Sequence, residues 1–300
     1  MKYDKPPLTF DEQVRHLQDL GLQGDPTVMR ERLASVNYYR LSGYLYPNRS
    51  PDNETFLPGT DFDTVWKHYA FDRRLRLLVM DAIERIEIAV RTQLAYHHAR
   101  AYNDPFAYAV LPISLPGLRP TDYHDLLARI REETDRSEDA FVSHFRNKYG
   151  DEHAYLPVWM AVEIMTLGTT QRFFRGASHQ VKQNVATHFG LPDKVIDSWL
   201  HTLSVIRNIC AHHGRLWNKE LGVKPFIPFP KDYPDWHTPY MVPNNRVFAV
   251  LTICRYCLRR IAPQSRWPQC LNSLLADFPT VPISQMGFPA NWKDSPLWKP

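Results

Sequence analysis

From Thr60 to Asp104 the chain contains no glycine and no proline. Apolar residues return there every three or four positions, at Phe62, Val65/Trp66, Tyr69, Leu75, Leu78/Val79, Ala82/Ile83, Ile86, Ala89/Val90 and Leu94. That period predicts an amphipathic α-helix. Unbroken, it would approach ~60 Å at about 1.5 Å per residue. Asp72-Arg73-Arg74 is a place where the helix could break. A helix of this length is stable only with partners along it, which implies a bundle. Glu87 and Arg91 stand at i,i+4 in the favourable order and are expected to pair.

The stretch before it, Leu8 to Pro47, reads as two short helices and a turn. Thr9 with Glu12 three residues on forms a capping-box pattern, and Gly21 fits a helix end. Asp25-Pro26 reads as an N-cap followed by proline at the first helical position. The aromatic run Asn37-Tyr38-Tyr39-Arg40-Leu41-Ser42-Gly43-Tyr44 has two readings: tyrosines packing a small helical subdomain, or a surface for a partner or RNA. After a connection with four prolines over Asp104–Pro120, helices are expected at Thr121–Glu133, Glu138–Tyr149, Pro157–Met165 and Ser178–Phe189, the last closed by Gly190. Pro192-Asp193 then opens a helix predicted to run to about His213. No segment alternates as a strand would. The expected fold is all-α, with an N-terminal helical subdomain (1–58), a helical bundle domain (59–262) and an irregular tail packed on the body (263–300).

Composition sharpens this picture. Hydrophobic residues at 44% and charged residues at 23% exclude a disordered chain. Of the 25 prolines, 13 fall in residues 221–300, which predicts short broken pieces there. Only 12 glycines are present, and neither GxxxxGK[ST] nor GxGxxG occurs. Loops that cradle phosphate with glycine backbones are therefore not expected. The four cysteines, Cys210, Cys254, Cys257 and Cys270, all lie beyond residue 200, which argues against a disulfide framework. Cys254 and Cys257 form a CxxC inside a helical stretch, with no second pair to complete a zinc site; packing is the expected role. No apolar run is long enough to span a membrane and the N-terminus lacks a signal segment, so a cytoplasmic protein is expected.

The net charge of +4 excludes binding of nucleic acid by bulk charge. Local charge is another matter. Between Trp236 and Ala276 stand Arg246, Arg255, Arg259, Arg260 and Arg266, with no acidic residue. Arg255, Arg259 and Arg260, with Arg85 and Arg91 of the long helix, are candidates for an RNA-tracking wall. The competing expectation is an ordinary solvated face.

The helix from Asp193 ends in Arg207-Asn208-Ile209-Cys210-Ala211-His212-His213-Gly214. Asn208 and His212 share a face at i,i+4. Arg207 and His212, five apart, stand ~140° apart around a straight helix. They can serve one phosphate only if the helix distorts or if two copies meet across a two-fold axis. Histidine exchanges protons near neutrality, arginine grips phosphate oxygens, and asparagine can fix an imidazole tautomer. The set suits metal-free cleavage of RNA, in which one group removes the 2′-OH proton and another protonates the leaving 5′-oxygen. The spacing taken alone fits a capped helix end with surface polar residues better than a catalytic site. No metal site is expected from Cys210, His212 and His213, because adjacent histidines diverge on a helix.

The run Ile206-Arg207-Asn208-Ile209-Cys210-Ala211-His212-His213-Gly214-Arg215-Leu216-Trp217-Asn218 resembles the hallmark of the AbiD/AbiF-type abortive-infection family, part of the HEPN superfamily of α-helical domains. Further blocks resemble that family in order: Lys5-Pro6-Pro7-Leu8-Thr9-Phe10, Asn37–Tyr44, Glu84–Thr92, Met286-Gly287-Phe288-Pro289, and Trp292 with Pro296-Leu297-Trp298. The resemblance implies a HEPN-like bundle with Arg207, Asn208 and His212 as catalytic residues and His213 and Arg215 in supporting positions. It implies an endoribonuclease without cofactors, acting on RNA in phage defence. With one motif per chain, it implies a homodimer with a composite site. It also implies control by a neutralising partner, such as a regulatory RNA or an antitoxin, because an unrestrained ribonuclease is toxic. The alternatives are a non-catalytic RNA- or protein-binding module, and a phage sensor acting through the aromatic Asn37–Tyr46 surface.

Overall fold

A computed structural model of the chain describes residues 2, 6–52 and 54–299. Among these residues helices are the only extended elements. Three isolated bridge pairs, Gln23 with Asp61, Arg49 with Phe56 and Glu220 with Arg246, build no sheet. The fold is all-α, as the periodicity predicts. Of the N-terminal block, Lys5 lies outside the described residues. The chain packs as two compact units, Met1–Leu77 with Cys270–Ile283, and Leu78–Gln269 with Ser284–Pro300.

In the first unit, α1 (Phe10–Asp19) starts at the expected capping box. Thr9 Oγ1 accepts from the Glu12 N–H at 3.3 Å, and the Glu12 carboxylate accepts from the Thr9 N–H at 2.7 Å. Asp25 caps α2 (Pro26–Ser35), its Oδ1 accepting from the Val28 N–H at 2.9 Å. The aromatic run forms α3 (Tyr38–Leu45), and its residues divide. Tyr44 is buried and donates to Asp72 Oδ2 at 2.5 Å, while Tyr39 stays 86% exposed. The long helix α4 (Phe62–Tyr102) is a single helix of 41 residues. It does not break at Asp72-Arg73-Arg74, where Asp72 and Arg74 find partners while the helix continues. Asp72 is fully buried against Tyr44 and Arg76, and Arg74 pairs with Asp277 at 2.7 Å.

The second unit holds α5 (Ala107–Val110), α6 (Pro120–Arg136), α7 (Ala140–Tyr149), α8 (Val158–Ile164), α9 (Leu167–Gly176), α10 (His179–Phe189), α11 (Asp193–Ala211) and α12 (Val247–Ile261). The proline-rich connection is therefore not wholly irregular, since α5 forms inside it. Helix α9 was hidden by Thr166, Gly168, Thr169 and Thr170, poor helix formers. Thr166 caps it, and its threonine and glutamine face is buried. Cys254 and Cys257 lie fully inside α12, where burial pushes both thiols up. That is the packing role expected of them.

Helix α13 (Trp267–Asp277) occupies part of the stretch expected to be irregular. Pro268 sits in its first turn, where a missing N–H costs nothing. The last residues do run irregularly over α12. Phe248 meets Phe288 at 4.7 Å and Trp298 at 5.8 Å between ring centres, and Trp298 Nε1 donates to Thr252 Oγ1 at 3.2 Å.

Candidate active site

Helix α11 presents Ile196, Trp199, Leu200, Leu203 and Ile206 to the core of the second unit. Gly168 lets α9 come close to it; a Cβ there would stand 3.3 Å from Ser204 Oγ. Trp199 Nε1 donates to the Phe226 carbonyl at 2.8 Å, and the Phe226 N–H donates to Ser198 Oγ at 2.9 Å. The helix carrying the candidate motif is thus held from several sides.

Its C-terminus differs from the expected one. The helix ends at Ala211, and His212 is the C-cap at φ −87° and ψ 14°. His213 takes φ 58°, the left-handed position that glycine usually fills, so the helix turns one residue before Gly214. The His213 N–H donates to the Cys210 carbonyl at 3.0 Å and the Gly214 N–H to the Ile209 carbonyl at 2.7 Å. These two bonds form a Schellman closure, which satisfies carbonyls the helix would otherwise leave open. Gly214 is needed for close approach, since a Cβ would meet Ile209 Cγ2 at 3.1 Å. Beyond it Leu216 and Trp217 are buried, and Arg215 is half-buried.

The candidate residues fall on different sides of this helix end. Arg207 is half-buried, whereas Asn208, His212 and His213 are exposed. The His212 N–H donates to the Asn208 carbonyl at 3.0 Å, and among the described residues no side-chain hydrogen bond joins the pair. Arg207 lies within electrostatic reach of Glu87 on α4. Glu87 is nearly buried and pairs with Arg91, one turn along the same helix, as the i,i+4 spacing predicts. Arg91 also donates to the Met165 carbonyl and, at 3.3 Å, to the Glu163 carbonyl, which ties α4 to the end of α8. Burial holds the Glu87 carboxyl above the usual carboxylate range. The charges of Arg91 and Arg207 oppose that shift, and Glu84 adds to it. Desolvation wins, so the carboxylate is a costly group kept beside two arginines. No periodicity linked Glu87 to Arg207, because they are 120 positions apart and come within electrostatic reach only through packing.

The other arginines have local partners. Arg85 donates to Asp81 and to Ser265 Oγ, each at 2.7 Å. Arg255 donates to the Lys299 carbonyl at 3.2 Å and Arg259 to the Pro296 carbonyl at 3.1 Å. Arg260 lies 5.7 Å from the centre of the Tyr256 ring. The basic stretch therefore holds the C-terminal tail against α12, while Arg259 and Arg260 keep exposed surface. Among the described residues no group of three His, Cys, Asp or Glu side chains is placed to hold a metal ion. Nor is any helix there long and apolar enough to cross a membrane.

Comparison with known proteins supplies one match. No curated protein and no solved structure matches the chain. The family profile described as Abi-like protein matches residues 31–218, more than half of the sequence. The match takes in the aromatic block, the long helix and the whole of the Arg207–Asn218 run. The chain belongs to the Abi-like family, proteins of abortive-infection phage defence.

Proposed function

We propose that this protein is a metal-independent endoribonuclease of the HEPN type that arrests phage-infected cells by cutting RNA. The observation that carries the proposal is the end of α11. There a half-buried arginine lies within electrostatic reach of the Glu87 carboxylate, itself paired with Arg91, and an exposed histidine stands on the cap. A base removes the 2′-OH proton of the substrate, and the 2′-oxygen attacks the adjacent phosphorus. The P–O5′ bond breaks and an acid protonates the leaving 5′-oxygen. The products are a 2′,3′-cyclic phosphate and a 5′-hydroxyl, and the need for a 2′-OH restricts the enzyme to RNA.

In this scheme His212 moves the proton, Arg207 neutralises charge on the phosphoryl group, and Asn208 orients the histidine. His213 and Arg215 shape the turn beside them. Within one chain Arg207 lies within electrostatic reach of Glu87, while His212 is exposed. A homodimer that sets the arginine of one protomer against the histidine of its partner completes the site. A neutralising partner, RNA or protein, fits the need to restrain such an activity in uninfected cells.

The test is cleavage of single-stranded RNA by the wild type, Arg207→Ala and His212→Ala proteins, each checked for folding. Both variants are expected to lose at least about 100-fold in rate, the usual scale for removing a proton-transfer group or an oxyanion donor. Undiminished cleavage in both sinks the site assignment. RNA binding without turnover in the wild type replaces the enzyme with a binding module.

A further inference from the structure

A cleft of about 440 Å³ opens between α4 and α8. Its floor is made of small residues, Ala95 and Ala99, and two aromatic side chains line it, Tyr96 on α4 and Trp159 on α8. Tyr96 is 55% exposed and Trp159 52% exposed, although Leu94 and Val158 beside them are buried. Two half-bare rings in one cleft are an unusual use of large apolar surface in a chain that buries most of its tryptophans. The volume lies in the range of small-ligand sites, about 300–1,000 Å³.

The cleft continues the candidate active site. Glu87, Arg91, Ala95 and Ala99 are successive i,i+4 positions on α4, each about 6 Å beyond the last. Arg91 pairs with Glu87 and donates to the carbonyl of Glu163, which itself lines the cleft. At the far end the Arg100 guanidinium lies 5.5 Å from the centre of the Tyr96 ring. Arg100 therefore lines one end of the aromatic slot, and Arg91, held by Glu87 and the Glu163 and Met165 carbonyls, stands one helical turn beyond Ala95 at the other. Glu163 is the one acidic residue among those lining the cleft, and a carboxylate there can accept from a base amine.

We infer that this cleft is a subsite for an unpaired nucleobase of the RNA substrate, stacked on Tyr96 and Trp159 a few nucleotides from the phosphate at Arg207. The inference rests on the ribonuclease reading above. An apolar slot bracketed by arginines is the arrangement that single-stranded nucleic acid recognises, since every base has a stacking face and each neighbouring phosphate a charge. A duplex cannot enter, because its bases are stacked on one another.

The test uses the full-length protein carrying His212→Ala, so that RNA is bound and not consumed. The probes are a single-stranded RNA oligomer and the duplex of the same sequence. Adding Trp159→Ala is expected to weaken single-strand binding about tenfold, within the range set by loss of one stacked base. Trp159→Phe should retain most of the affinity, and duplex binding should not move. Ala99→Leu fills the slot without opening a cavity and should reproduce the loss even where Trp159→Ala folds poorly. Unchanged single-strand affinity in folded Trp159→Ala and Ala99→Leu proteins overturns the subsite while leaving the ribonuclease reading intact. Loss of self-association in these variants, with RNA affinity unchanged, overturns it in favour of a second copy of the chain. If the wild type neither binds nor cleaves RNA, the parent reading fails and the subsite with it.

Discussion

His98 shows how far a single side chain's surroundings can decide its behaviour. It is fully buried on α4, with Tyr102 at 5.0 Å and Phe173 at 5.1 Å between ring centres. Burial pushes its titration down to about 4. Neither ring nitrogen meets hydrogen-bond geometry, and the nearby Ser114 backbone offsets the shift only in part. A histidine free in the unfolded chain titrates near 6.5. The unfolded state therefore binds the proton first as the pH drops. The stability from neutral His98 is complete above about 6.5 and is lost between there and about 4. At ~1.4 kcal/mol per pH unit of displacement the loss is at most about 3.5 kcal/mol. His98→Phe keeps the ring packing and removes the proton. Denaturant unfolding at pH 7 and pH 4.5 should show a smaller acid loss for this variant than for the wild type. Parallel pH dependence in both would mean that His98 is not the group responsible.

Helix ends carry the next level of information, because they fix where side chains stop sharing a face. Gly190 closes α10 at φ 66°, and the Arg260 guanidinium lies where a Cβ would be, 2.7 to 2.8 Å away. The Tyr256 hydroxyl also donates to the Gly190 carbonyl at 3.2 Å. Gly190→Ala therefore meets a backbone penalty and a displaced cation together. We expect it to cost about 1–2 kcal/mol, read from the denaturant midpoint at unchanged slope. Adding Arg260→Ala should recover part of that cost, since the two changes act on one contact. Strict additivity of the pair would remove Arg260 from the explanation. The end of α11 follows the same logic with a different residue. His213, and not Gly214, takes the left-handed turn, so His212 leaves the helix at its cap while Arg207 stays in its last full turns.

For the whole molecule the decisive question is whether one chain suffices. If Arg207 of one protomer works with His212 of its partner, the Arg207→Ala and His212→Ala proteins are each inactive but complement each other. Half of the dimers in an equal mixture are then hybrid, and each hybrid has one site with both residues intact and one with neither. Unfolding and refolding the two together should restore about a quarter of wild-type cleavage, the share set by two-fold pairing. Mixtures as inactive as their components would place a complete site within one chain.

The sequence by itself determined the helical class, most helix starts and the motif. These depend on neighbours within a few positions: the capping box at Thr9 and Glu12, Pro26 behind Asp25, the left-handed Gly190 and the pairing of Glu87 with Arg91. The family too was legible, because ordered blocks of residues carry it. Tertiary structure decided the rest. Whether Asp72-Arg73-Arg74 breaks α4 depended on Tyr44 and Asp277, which lie far off in sequence. The role of Arg255 and Arg259 depended on tail carbonyls that no spacing rule places near them. That Glu87 lies within electrostatic reach of Arg207, and that Tyr96 and Trp159 share a cleft, follows from how α4, α8 and α11 pack. Local backbone chemistry operates over a few residues and is written in the sequence order, whereas desolvation and side-chain contact across the core exist only once distant helices meet.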